Sequence, residues 1–174
     1  MASQTSIQEL TALSGNAKKF LNKSAIGFLD MRHMQKVSNK FNHEAASEML
    51  MPAETFELEV KHKMSNAAHE ILQAANRIED CKKQNSELDT VDYLRYARTN
   101  LEEARRDLDA AESAFKALEI YFSRVERASE ALGKELEPVI AEIFDELEQM
   151  KNFQYNLLEK TAVLINEARL EDGE

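Results

Sequence analysis

The chain has 174 residues, 32 acidic and 22 basic, for a net charge of −10, with only four glycines, two prolines and one cysteine. That is one domain's worth of chain. So few turn-forming residues exclude a β-sandwich or barrel, and 43% hydrophobic residues exclude a disordered polymer. The acidic balance repels a phosphate backbone, so no nucleic-acid partner is expected. Cys81 alone allows no intramolecular disulfide and no cysteine zinc cluster.

The charge is unevenly spread. Residues 1–43 carry Lys18, Lys19, Lys23, Arg32, Lys36 and Lys40 against Glu9 and Asp30, a net of +4, so the remainder carries −14. The division read from this is a basic N-terminal helical segment, 1–50, and an acidic long-helix bundle, 51–174, within one domain. No apolar run is long enough to span a bilayer, and the N-terminus lacks the apolar core of a secretory signal. A cytoplasmic location is expected, with export lacking a cleaved signal as the other route.

The first predicted segment covers 5–50, interrupted near Gly15, with Asn16 as a cap. Phe20, Leu21, Phe28 and Met31 share one helical face, and Lys18, Lys36 and Lys40 flank it. This face is expected to dock on acidic helices of its own bundle or of a neighbouring subunit, with a membrane surface as the alternative through 17–43. Pro52 is expected to end this segment and open the next, 53–84, where Met64, Ile71 and Ile78 recur every seven residues with Ala68 and Ala75 between them.

The third segment, 89–132, carries the clearest pattern. Leu94, Ala97, Leu101, Ala104, Leu108, Ala111, Phe115, Leu118, Phe122 and Val125 follow one another at alternating steps of three and four. Such a repeat keeps one stripe facing a partner when helices supercoil, so these residues read as a self-association seam. Gly133 is expected to stop the helix and Pro138 to open the fourth segment, 138–171, which runs back antiparallel. The whole reads as all-α: an elongated antiparallel bundle, or coiled coil, of three to four long helices. It is expected to be completed by assembly into a homodimer or larger.

Two constellations could carry chemistry. Glu59 and His62, with Asp30 and His33, give two carboxylate-x-x-His pairs, the spacing that puts two metal ligands on one helical face. Separately, Glu59-Val60-Lys61-His62-Lys63-Met64-Ser65-Asn66 resembles the phospho-acceptor helix of one histidine-kinase subgroup. The resemblance implies His62 as acceptor and Glu59 as the acid that orients its ring. It departs at Ala67, where a second Asn is usual, and no glycine-rich ATP site follows. A phosphotransfer module is therefore the alternative it implies, not a kinase. In layout, long antiparallel helices behind a basic amphipathic stretch also resemble BAR-type membrane-curving dimers, although the −14 body opposes anionic lipid. No nucleophile elbow or phosphate-cradling loop is present. The expected function is non-enzymatic, with no cofactor: a structural or adaptor protein that contacts itself and another protein.

Overall fold

A computed structural model describes residues 4–29, 44–81 and 87–171, with side chains placed over 6–22, 55–81 and 90–168. The elements are α1 (Gln4–Leu29), α2 (Glu44–Asp80), α3 (Glu87–Ala128) and α4 (Glu130–Glu171), and the described residues contain no strand. The protein is an all-α bundle of four helices, as its periodicities predict.

Three expected boundaries are corrected. Gly15 does not interrupt α1, which runs through it. Residues 44–50 belong to α2, and Pro52 lies inside that helix. Gly133 and Pro138 both sit inside α4, and the turn is Ser129 alone. A proline inside a helix removes one ladder bond and costs about 3 kcal/mol. At Pro138, which is exposed, the fully buried Leu132 and Leu136 and the buried Ile140 flank the break. Each such side chain contributes about 1.5–3 kcal/mol, which is enough together to keep the helix continuous.

The turn itself has a simple chemistry. Ser129 ends α3 by donating its N–H to the Val125 carbonyl at 2.8 Å, and its Oγ accepts the Leu132 N–H at 3.3 Å. That is the N-cap bond to the third residue of α4. Glu130 in the first turn suits the positive end of the helix dipole. Gly133 then faces back onto α3: a Cβ there would lie 2.9 Å from Glu126 Cγ and 3.1 Å from its Cα. The glycine permits close approach of two backbones; it is not a stop signal.

Contacts along the helices fix the topology. Phe56 of α2 stacks on Tyr121 of α3 at 5.5 Å, while Cys81 Sγ reaches the Thr90 carbonyl, so these helices are antiparallel. Gln154 of α4 donates to the Leu101 carbonyl at 3.0 Å and Phe144 meets Phe115 at 5.7 Å, so α4 is antiparallel to α3. Phe20 meets Phe153 at 5.5 Å and Glu9 meets Lys160 at 3.8 Å, so α1 is antiparallel to α4. The helices stand at four corners, with α1 beside α2 and α4, α3 opposite α1, and α2 hardly touching α4 across the diagonal. By helical rise from the Phe20–Phe153 contact, Leu29, the last described residue of α1, lies level with the stretch around Phe144. Between there and Ser129, the described elements alongside one another are α2, α3 and α4.

The core's composition varies along the bundle. Beside α1, the buried alanines Ala17, Ala68, Ala75, Ala97 and Ala104 are interspersed with Leu10, Leu21, Ile71 and Leu101. Toward Ser129 the buried side chains include Phe115, Leu118, Leu132, Leu136 and Ile140. Small residues among the large ones let neighbouring helices approach closely.

Candidate functional site

The α3 seam is buried almost as its spacing predicts. Leu94, Ala97, Leu101, Ala104, Leu108, Ala111, Phe115, Leu118 and Val125 are all buried, and Phe122 is half-buried against the same core. Its cover, however, comes from α2 and α4 of the same chain. Two neighbouring helices of one chain thus cover the stripe.

The basic N-terminal face is brought onto the bundle where it is described. Leu21 is fully buried, Phe20 packs on Phe153, and Lys18 Nζ lies 2.6 Å from Glu79 Oε2 of α2. Phe28 lies within α1, but its side chain falls outside the described residues, as do Met31, Lys36 and Lys40 in full.

His62 and Glu59 are both exposed on α2, one turn apart. On the same face His69 and Gln73 share a 2.9 Å hydrogen bond. Asp30 and His33 lie outside the described residues. Among the described residues no three His, Cys, Asp or Glu side chains gather where a metal ion could sit. Cys81 is buried at the end of α2, and burial, with Asp80 beside it, pushes its thiol up to about 11. A thiol held neutral in this way is a poor nucleophile.

A different group of residues stands out in the structure. Glu57 and Lys61 are buried in α2, and Lys61 Nζ lies 3.0 Å from Glu57 Oε1. Glu146 on α4 is half-buried. Burial pushes its carboxyl above the usual range and Glu142 adds to that, while Lys61 pulls it down. Sequence reasoning passed over this group because charged side chains on an acidic helix read as solvated. A signal was there. Glu57 continues the ladder of Ile78, Ile71 and Met64, and Lys61 continues that of Ala75 and Ala68. A strict seven-residue ladder that runs into a charged residue marks a buried polar layer.

The surface is otherwise strongly charged, but Leu58, Tyr96, Ile120, Phe144, Tyr155 and Val163 are each 44% to 62% exposed. Phe144, Glu148, Lys151 and Tyr155 follow the i, i+4, i+7, i+11 spacing and so share one face of α4. Lys151 is held there between Glu112, at 3.3 Å, and Glu148, at 3.4 Å. A shallow groove between α1 and α4, bordered by Ser6, Glu9, Asn156, Lys160 and Val163, opens to solvent on a neighbouring face. No helix among the described residues is long and apolar enough to cross a membrane. Comparison with protein-family models, curated proteins and solved structures gives no match.

Proposed function

We propose that this chain is a non-enzymatic helical adaptor or structural protein, acting through contacts with other proteins and with its own copies. The observation that carries this reading is the α4 face on which Phe144 and Tyr155 stand half-exposed, with Lys151 clamped between two carboxylates beside them. Aromatic side chains set among fixed charges are the groups that contribute most to protein contacts. Helices of 42 residues, about 63 Å at 1.5 Å per residue, present that face on a long rod. The lipid-facing alternative has less support, because Phe20 and Leu21 pack inward.

Light scattering over a concentration series tests self-association. The expected result is a mass that rises with concentration, and that falls back to one chain when Phe144→Ser and Tyr155→Ser are combined. A single-chain mass at every concentration overturns the self-association part.

A second reading has one specific observation behind it. His62 is exposed on a helix with the exposed Glu59 one turn before it, which is the arrangement a histidine phosphotransfer module needs. Incubation with a phosphorylated receiver domain is then expected to label the wild type and not His62→Ala. Equal labelling of both, or of neither, removes this reading.

A further inference from the structure

The face of α4 that carries Phe144 and Tyr155 is complementary to itself. Phe144, Glu148, Lys151 and Tyr155 form one stripe, at steps of four, three and four. Reversed end for end, the stripe keeps its spacing and keeps an aromatic ring at each end, while its two charges exchange places. Two such stripes laid antiparallel set Phe144 against the partner's Tyr155 and Glu148 against the partner's Lys151. Laid parallel, they set Glu148 on Glu148 and Lys151 on Lys151, a juxtaposition of like charges. One step further out, the antiparallel pairing brings exposed Ala141 to half-buried Leu158, a small side chain against a large one.

The adjoining flank of α3 has the same property. Glu112 of that flank reaches Lys151, and Arg98, Arg105 and Glu119 share its ladder at seven-residue steps. Basic side chains stand at one end of the ladder and acidic ones at the other. Turned end for end, Arg105 faces Glu112 and Arg98 faces Glu119. The midpoint of this ladder lies between Leu108 and Asp109, and that of the α4 stripe between Gln149 and Met150. The Gln154–Leu101, Phe144–Phe115 and Lys151–Glu112 contacts put those two midpoints level to within about one helical turn. A single two-fold axis across the helices therefore serves both, with α4 facing α4 and α3 facing α3.

We propose, resting on the self-association already put forward for this face, that its occupant is a second copy of the chain, docked antiparallel about a two-fold axis that crosses α4 between Gln149 and Met150. The rings of Phe144 and Tyr155 pack at both ends, and the Glu148–Lys151 pairs set the register in the middle. Lys151 is held within its own chain at 3.3 Å from Glu112 and 3.4 Å from Glu148, so it has little side-chain freedom left to lose when the partner's Glu148 arrives.

Spin-label distances in the full chain, taken at a concentration where light scattering gives a dimer, test the arrangement. Cys81→Ala leaves the label to a cysteine introduced by Asn152→Cys or by Asn166→Cys, both at exposed positions. Two labels at 152 are expected within about 25 Å of each other, and two at 166 about 50 Å apart along the helices. Short separations at both positions, or a long one at 152, overturn the proposal and leave self-association standing. A single-chain mass at every concentration removes both. Charge reversal reads the register separately. Glu148→Lys is expected to weaken the dimer about tenfold, and adding Lys151→Glu to recover most of that loss. No weakening in the single variant, or no recovery in the double, overturns the proposal.

Discussion

The end of the bundle that contains α1 and the end that contains Ser129 solve the same packing problem differently. Near α1 the centre interleaves Ala17, Ala68, Ala75, Ala97 and Ala104 with Leu10, Leu21, Ile71 and Leu101, and four helices close over it. Toward Ser129 it is built from Leu118, Leu132, Leu136 and Ile140, with Phe56 and Tyr121 stacked at its edge. Alanines punctuate the first core and are missing from the second set of side chains, so neighbouring helices approach more closely at the α1 end. Between them lies the Glu57–Lys61 layer, where burial is electrostatically costly rather than favourable. The lesson is that a single uninterrupted seam can serve two cross-sections, because the alternation of leucine with alanine or phenylalanine sets how near the neighbours come.

The largest expected effect breaks the α1 end outright. Leu101→Asp places a charge at a fully buried position of the seam, and a loss of about 3–5 kcal/mol is expected in urea unfolding. The same change at exposed Ile120 is expected to fall within about 0.5 kcal/mol of wild type.

The ionic layer gives the next contrast. Lys61→Met alone strands a buried carboxylate and is expected to cost about 3–5 kcal/mol. Combining it with Glu57→Leu is expected to recover most of that, or to exceed wild type. Recovery in the double variant would show that the layer does not serve stability.

Two glycines sharpen the comparison with opposite signs. Gly133→Ala drives a Cβ into Glu126 across the turn and is expected to cost about 1–3 kcal/mol. Gly15→Ala meets nothing within 4 Å in the middle of α1 and is expected to stabilise by about 0.5–1 kcal/mol. Calorimetric melting of the two variants side by side checks both signs at once.

The smallest effect is the link between Lys18 and Glu79. Both side chains are partly solvated, so Glu79→Gln is expected to cost about 0–1 kcal/mol despite the 2.6 Å contact. The apolar packing of Leu10, Ala17 and Leu21 holds α1 in place far more strongly than that pair.

These contrasts also mark what was legible in the sequence. The seam was readable residue by residue, because a strict repeat has only one way to face a neighbour. Which neighbour it faces was not, since the same stripe suits a second copy and the chain's own helices equally. Of the expected docking face, Phe20 and Leu21 pack on the bundle, and the Phe28 side chain and Met31 lie outside the described residues. The boundaries at Gly133 and Pro138 were misread because glycine and proline signal helix ends only on average. At Gly133 the crossing of two backbones decided the residue, and at Pro138 flanking burial overrode the local penalty. The Glu57–Lys61 pair escaped because composition describes charge and not burial.

The central claim is that α1 closes one end of the bundle from within the same chain. Amide hydrogen exchange in dilute protein tests it most directly. The account predicts that residues 10–21 are protected to a degree comparable with 94–108, and that this protection does not change on dilution. Exchange across 10–21 as fast as in a free peptide, or protection that vanishes on dilution while 94–108 stays protected, would contradict it.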